Sequence, residues 1–391
     1  MHILAYGHHP DANSGMSTVL RELMGRISSR GYRITWVAIN GHDRTWRDCN
    51  VITPPSNYNV SPIEVLDKNI QYKNPDALFT NLNWQGLTRI SDITNQYSNK
   101  TGNSLPILLH TTFESETGPP EFEKQMVDSH CNPVHYIPYT EPHYKLFSEK
   151  SWCNGYISHG IDEVFHQDFK RERFDSSIFN GYSNDTKVVS IVARNERRKN
   201  LDQWLKTAGK IKRRYSGNVI FLMNTSPDNR RADKMYSGWN LTRCAKEEGL
   251  KPGEDVIWTK DHPKQNAPKE RIANIYHNTD VYLSLSGGEG FGLPVAEAMS
   301  CETACVLTDH VNHQWVAQDA AKYVPSKIET RLSSGDLIKI PDPNSAAERV
   351  VDLLLDTAER VNMAQKGAER SNRFRWKSSS QKLVDYLKST I

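Results

Sequence analysis

What the chain lacks narrows the field first. Its 391 residues contain no apolar run near the roughly 18–20 residues needed to cross a bilayer. The opening MHILAYGHHPDANSG has neither a basic leader nor a long apolar segment, so it reads as a first strand rather than a signal peptide, and cytoplasmic residence is expected, with peripheral attachment to a membrane left open. The six cysteines, Cys49, Cys131, Cys153, Cys244, Cys301 and Cys305, form no C-x-x-C pair, which argues against both a zinc ribbon and a disulfide framework. Cys301 and Cys305 read as small buried residues. There is no Gly-Lys-Ser/Thr phosphate loop and no well-placed Asp-x-Asp to hold a divalent metal. Internal repeats and low-complexity tracts are lacking too.

What is present fits two α/β domains. A chain of 391 residues, 37% hydrophobic and 24% charged, suits two globular cores. HILAYG (2–7) reads as a buried strand, MSTVLRELMGRISSRG as a helix closed by Gly31, and YRITWVAIN (32–40), PDALFTNLN (75–83) and LPILLHTTF (105–113) as further strands. The pattern restarts at KVVSIVARN (187–195), continues through the helix LDQWLKTAGKIKRRY (201–215), and gives strands at GNVIFLMN (217–224), DVIWTKD (255–261) and DVYLSLS (280–286). Residues 346–367 read as one long amphipathic helix carrying Val350, Leu353, Leu354 and Val361, and 373–391 as a last helix. The polar stretch 166–186 is the expected join. Strand–helix alternation predicts parallel sheets, with ligands at the carboxyl ends of the strands in a cleft between the domains.

The informative stretch is SGGEGFGLPVAEAMSC, residues 286–301. A strand runs into Gly287, Gly288, Gly290 and Gly292, read here as positions of unusual backbone conformation, and Pro294 suits the first turn of a helix beginning near Leu293. Strand, glycine loop and helix start together make an anion site. The G-x-G-x-x-G fingerprint fails, because its last position falls on Leu293 or Val295. Glu289 and Glu297 would repel phosphates, so they are assigned to the neutral hydroxyls of a ligand. Phosphates in the middle and polyols at both ends describe a nucleotide sugar. Residues 194–234 carry twelve Lys/Arg against four Asp/Glu, which suits a phosphate-bearing partner. Within that excess Arg194 and Lys199 are the expected diphosphate ligands, while Arg197 and Arg198 read as exposed loop cations.

These residues resemble the large E-x7-E family of retaining glycosyltransferases (glycosyltransferase family 4, group 1), which has the GT-B fold. The resemblance rests on EGFGLPVAEAM (289–299), RNERRKNL (194–201), ISHGIDEVF (157–165) and SGMSTV (14–19). It implies two Rossmann-like domains facing a central cleft, at 1–170 for the acceptor and 185–372 for the donor, with helix 373–391 crossing back to the first. It implies that Glu289 meets the donor sugar, Glu297 the ribose, and Arg194 and Lys199 the diphosphate. The amide-bearing segment Gly288, Gly290, Phe291, Gly292 and Leu293 would line the donor, with Gly15 and Met16 approaching the same phosphates. His110, at a strand end, would contact the sugar. Two departures stand out: Met16 replaces a second glycine, and Ser158-His159 stand where asparagine is common. The implied reaction moves a sugar from a uridine or guanosine diphosphate donor to a glycan, lipid-linked or small-molecule hydroxyl, with retention, without a required metal and without a covalent intermediate. Transfer onto modified nucleic-acid bases, a catalytically silent binding protein and a nucleotide-sugar epimerase are the alternatives.

Overall fold

The computed structural model of the chain describes residues 1–12, 14–55, 60–127, 132–166, 181–228, 238–259, 268–332 and 335–391. The expected join at 166–186 falls largely outside them, as do Cys131 and the end of the 255–261 strand. Two compact units emerge. One comprises Met1–Phe113, Thr117–Gly160 and Phe374–Ile391, the other Glu114–Glu116 and Ile161–Arg373.

The first unit is built on a seven-stranded sheet ordered Arg44–Trp46, Cys49–Ile52, Arg33–Ala38, His2–Gly7, Ala77–Thr80, Ile107–His110 and Val134–Ile137. All neighbours are parallel except the edge pair Arg44–Trp46 with Cys49–Ile52. His2–Gly7 is buried along its whole length, as befits a parallel strand covered on both faces. Helix Gly15–Ser28 follows, with the Ser14 side chain accepting from the Ser17 amide as its N-cap. Gly31, at φ +88°, turns the chain out of it. Helix Pro62–Lys73 went unread in the sequence, although Ser61, Pro62 and Glu64 carry a complete capping box.

The second unit holds a six-stranded parallel sheet ordered Val256–Trp258, Val219–Asn224, Lys187–Val192, Val281–Ser284, Ala304–Thr308 and Ala321–Val324. From Lys187–Val192 the chain goes to one side of the sheet, and it later returns to the other side at Val281–Ser284. These two central strands therefore form the topological switch point, where the connections leaving their carboxyl ends splay apart and open a crevice. An antiparallel hairpin, Ser326–Arg331 with Leu337–Pro341, stands beside the sheet.

The long helix expected over 346–367 is two helices, Pro343–Leu355 and Thr357–Ser371. Asp356 breaks it: at φ −95° and ψ 93° it leaves the helical region and caps the second helix by accepting from the Glu359 amide. The break also removes Val361 from the apolar stripe, and that residue is 46% exposed.

The last helix, Trp376–Thr390, belongs to the first unit. Leu383, Val384 and Leu387 join Val19, Leu23 and Ile27 of the first helix in one core. The segment 157–165 explains how it docks. A Cβ at Gly160 would lie 2.2 Å from the Trp376 amide nitrogen, and the His159 ring stacks on Trp376 at 6.1 Å. Only glycine lets the backbones approach so closely. Gly160→Ala is expected to destabilise the protein by about 1–3 kcal/mol through this overpacking. Urea unfolding checks it, and an unchanged midpoint would contradict the docking role.

Candidate functional site

The strand Val281–Ser284 ends at the switch point and the chain enters the glycine loop. Helix Leu293–Ser300 starts after Gly292, which adopts φ +90°, and Pro294 occupies its first turn. The sequence reading is corrected for Gly287, Gly288 and Gly290, none of which adopts a positive φ. A Cβ on Gly287 would sit 2.2 Å from the Lys339 carbonyl oxygen, and one on Gly288 2.3 Å from that of Glu114. Glycine is needed there for close approach. The Gly287 amide donates to the Arg198 carbonyl (2.8 Å), and the Lys339 amide to the Gly287 carbonyl (2.9 Å), so the loop is laced to both neighbours.

The connection from the other central strand brings the cations. Residues 197–199 make a short turn, and Asn200 takes the left-handed conformation (φ 48°) before helix Leu201–Arg214. Lys199 is thereby turned inward: it is 8% exposed, and its Nζ is bonded to the Glu289 carboxylate. Arg198 corrects the expectation of an exposed loop cation. Its side chain is 19% exposed, its Nη1 lies 3.4 Å from Glu289 Oε2, its Nε 2.7 Å from Glu114 Oε1, and its Nη2 3.4 Å from Glu196 Oε2. Arg197 is exposed and lies over the Trp239 ring at 4.5 Å. Asn312 Nδ2 donates to the Glu289 carbonyl at 2.6 Å, which fixes the backbone beneath the carboxylate.

Burial alone would raise the Glu289 pKa, but Lys199 and Arg198 outweigh it and hold the carboxyl well below its usual range. Burial, joined by Arg198, lowers the pKa of Lys199, while Glu289 pulls it back up. The pair is ionic at neutral pH. It borders a small recess lined also by Tyr282, Ser284, Ser286 and Pro294.

Glu297 lies one turn into the helix, partly buried, and accepts from the Tyr276 hydroxyl at 3.2 Å. Burial, reinforced by the charge of Asp162, pushes its pKa up to about 7, against the opposing pull of Tyr276 and Lys269. Lys269 is itself bonded to Asp162.

Other expected site residues fall differently. Arg194 is 56% exposed at its side chain and reaches the cluster through Glu196, at 3.6 Å. Phe291 is buried, against Trp315. Gly15 is the first residue of its helix and exposed, and Met16 is partly exposed beside it. His110 is fully buried in the first unit, its Nε2 2.9 Å from the Ile157 carbonyl oxygen and its Nδ1 3.2 Å from Asn81 Nδ2. Burial lowers its pKa to about 4. Both ring nitrogens are engaged within the first unit, at the end of strand Ile107–His110.

His9, Asp11 and His42 alone among the described residues have metal-ligand spacing. Arg44 Nη1 is 2.6 Å from Asp11 Oδ2, which already supplies that carboxylate with a cation. Within the basic stretch 194–234, residues 229–234 lie outside the described residues. Arg198, Glu114, Asn312 and Tyr276 were not readable as site residues, since each enters through an element remote in sequence or lies in a charged run without pattern.

The two units and their parallel sheets are those of the GT-B class. Sucrose-phosphate synthase from Thermosynechococcus elongatus superposes with a TM-score of 0.73 at 16% identity, over 99% of this chain and 98% of that one. A glycosyltransferase from Rickettsia africae gives 0.70 at 12%, over 99% and 98%. Residues 172–370 match the family described as glycosyl transferases group 1, and the chain belongs to that family. A D-inositol 3-phosphate glycosyltransferase from Corynebacterium urealyticum is 27% identical over 206 residues, which span 52% of this chain and 43% of that relative.

The raised pKa of Glu297 has a sign that can be tested. A carboxyl whose pKa is higher folded than unfolded favours folding while protonated, and that contribution is lost as pH rises through the folded value, about 7. Glu297→Gln should therefore be more stable than the wild type at pH 8, on the order of 1–3 kcal/mol, and converge with it near pH 4. Denaturant titrations at the two pH values check this, and equal effects at both would contradict it.

Proposed function

We propose that this chain transfers a sugar from a nucleoside-diphosphate sugar to an acceptor hydroxyl with retention of anomeric configuration. The observation that carries the reading is the buried Lys199–Glu289 pair at the switch point, beside the start of helix Leu293–Ser300. A cation and an anion paired there can separate onto a ligand carrying both a diphosphate and hydroxyls. Lys199 would turn to the diphosphate, supported by Arg194 and the amides of Gly290, Phe291, Gly292 and Leu293. Glu289, released, would accept hydrogen bonds from the sugar, and Glu297 from the ribose hydroxyls. As the glycosidic bond breaks, charge grows on the leaving phosphate, where the lysine and helix start already stand. This requires no metal, and uridine or guanosine diphosphate sugars are the expected donors. No side chain beside Glu289 is assigned as a nucleophile, so the acceptor hydroxyl attacks from the face the leaving group vacates and passes its proton to the departing phosphate oxygen. Glycan, lipid-linked or small-molecule hydroxyls are the expected acceptors. The resemblance to an inositol-phosphate glycosyltransferase supports a small polyol among them. The reading places the protein in the cytoplasm.

A thermal-shift panel of nucleoside diphosphates and nucleotide sugars, with and without chelator, tests the donor site. The expected result is a rise of several degrees with one base, indifferent to chelator and lost in Lys199→Ala, because a ligand of the folded state raises apparent stability. No shift with any member would contradict the reading. Affinity should also fall as pH drops below about 7, where Glu297 takes up a proton and loses its charge and part of its acceptor capacity. Titration calorimetry at pH 6 and pH 8 checks this, with Glu297→Gln weak at both. The anomeric configuration of the product, read by NMR from a donor of known configuration, tests retention, and inversion would refute it.

A further inference from the structure

Three residues of the chain behave unlike their neighbours. Glu114, Ser115 and Glu116 belong to the second unit, while Phe113 and Thr117 on either side belong to the first. They also lie outside residues 172–370, the part matched to the family. This strap is held from several directions. Asp336 Oδ1 accepts from the Glu114 amide (2.9 Å), the Ser115 amide (3.1 Å) and the Ser115 hydroxyl (3.1 Å). His310 Nε2 lies 3.1 Å from the Glu114 carbonyl oxygen. Glu116 Oε1 accepts from the Val311 amide (2.9 Å) and from Lys339 Nζ (2.7 Å).

The strap lies directly on the glycine loop, which is why Gly288 has no room for a Cβ. Its one side chain aimed at the ionic cluster is Glu114. Arg198 presents a rigid planar fork, and its shortest contact, 2.7 Å from Nε, is to Glu114. The contacts from the same fork to Glu289 and Glu196 are longer, at 3.4 Å each. The Glu114 carboxylate therefore sets the plane of the guanidinium, and that plane sets where Arg198 meets Glu289. Asp336, only 4% exposed, anchors the backbone from which Glu114 reaches out.

We propose that Asp336 and Glu114 are positioning residues of the donor site: Asp336 pins the strap to the glycine loop, and Glu114 orients Arg198 so that Glu289 stays in place when Lys199 leaves it for the diphosphate. The inference rests on the donor reading above. It makes a strap of the chain outside the family's matched region part of how the sugar is recognised. Without the brace, Arg198 is free to follow Glu289, and the carboxylate is no longer fixed where the sugar hydroxyls must find it.

The test separates sugar recognition from nucleotide binding. Titration calorimetry on the full chain measures affinity for uridine diphosphate, uridine diphosphate glucose, guanosine diphosphate and guanosine diphosphate mannose. The wild type should bind one nucleotide sugar more tightly than its nucleoside diphosphate. In Glu114→Gln, Asp336→Ala and Arg198→Lys that advantage should fall by about tenfold, the scale of a small misplacement, while nucleoside diphosphate affinity changes less than about threefold. Thermal midpoints in the same buffers show that each variant is folded, and Glu114→Gln keeps the shape and size of the side chain should Asp336→Ala unfold. A wild type that binds none of the four overturns the donor reading and this inference with it. A wild type with the advantage and variants that retain it overturn the inference alone. So does an equal loss of sugar and diphosphate affinity, which is what a purely structural strap would give.

Discussion

The Lys199–Glu289 ion pair is the constraint on which the rest of the second unit depends. Burying two charges is costly, and a pair in a low-dielectric setting persists only when its remaining hydrogen-bonding groups are also met. Each nearby feature serves that need. Parallel neighbours Lys187–Val192 and Val281–Ser284 bring the two connections to one end of the sheet. Asn200 turns left-handed so that Lys199 points inward, and Asn312 holds the Glu289 backbone. Gly287 and Gly288 omit side chains so that the hairpin and strap can close over the loop. Arg198 adds a second cation, so that Glu289 stays ionised even though burial opposes it. A pair so expensive to bury, placed at a switch point, is better explained by a ligand that exchanges with it than by stability, because a buried ion pair is often no more stabilising than apolar residues of the same volume.

Two carboxylates eight positions apart are given opposite states by their surroundings. Glu289 faces two cations and is held ionised, whereas Glu297 faces Asp162 and a tyrosine and is raised to about 7. The first unit shows the same economy with glycine. Gly160 is required where its backbone meets Trp376 at the start of the last helix, so one small residue determines how the C-terminal segment docks.

Much of this was legible in the sequence because local signals and the fold agree. The helix start at Leu293, marked by Gly292 and Pro294, is where the sequence places it, and the strands 2–7, 187–192 and 219–224 follow their apolar runs. The pairing of Lys199 with Glu289 joins two motifs 90 residues apart that spacing alone could not connect. Other features were opaque for physical reasons. Asp356 reads as a polar position on a helix, yet its side chain prefers capping, so one helix became two. Arg198 sits in a run of cations in which sequence offers no way to choose the buried one. His110 stands at a strand end, but its neighbours Asn81, Tyr139 and Ile157 come from other elements and enclose it. The strap is invisible in sequence because its partners, Asp336 and Lys339, lie more than 200 positions away.

The central claim is that Lys199 changes partner when the donor arrives. A crystal structure of the protein with a nucleoside diphosphate bound would test it most directly. The account predicts the diphosphate against residues 290–293, Lys199 Nζ within hydrogen-bonding distance of a phosphate oxygen and detached from Glu289, and Glu297 against the ribose. A nucleotide bound elsewhere, with the Lys199–Glu289 pair intact, would contradict it.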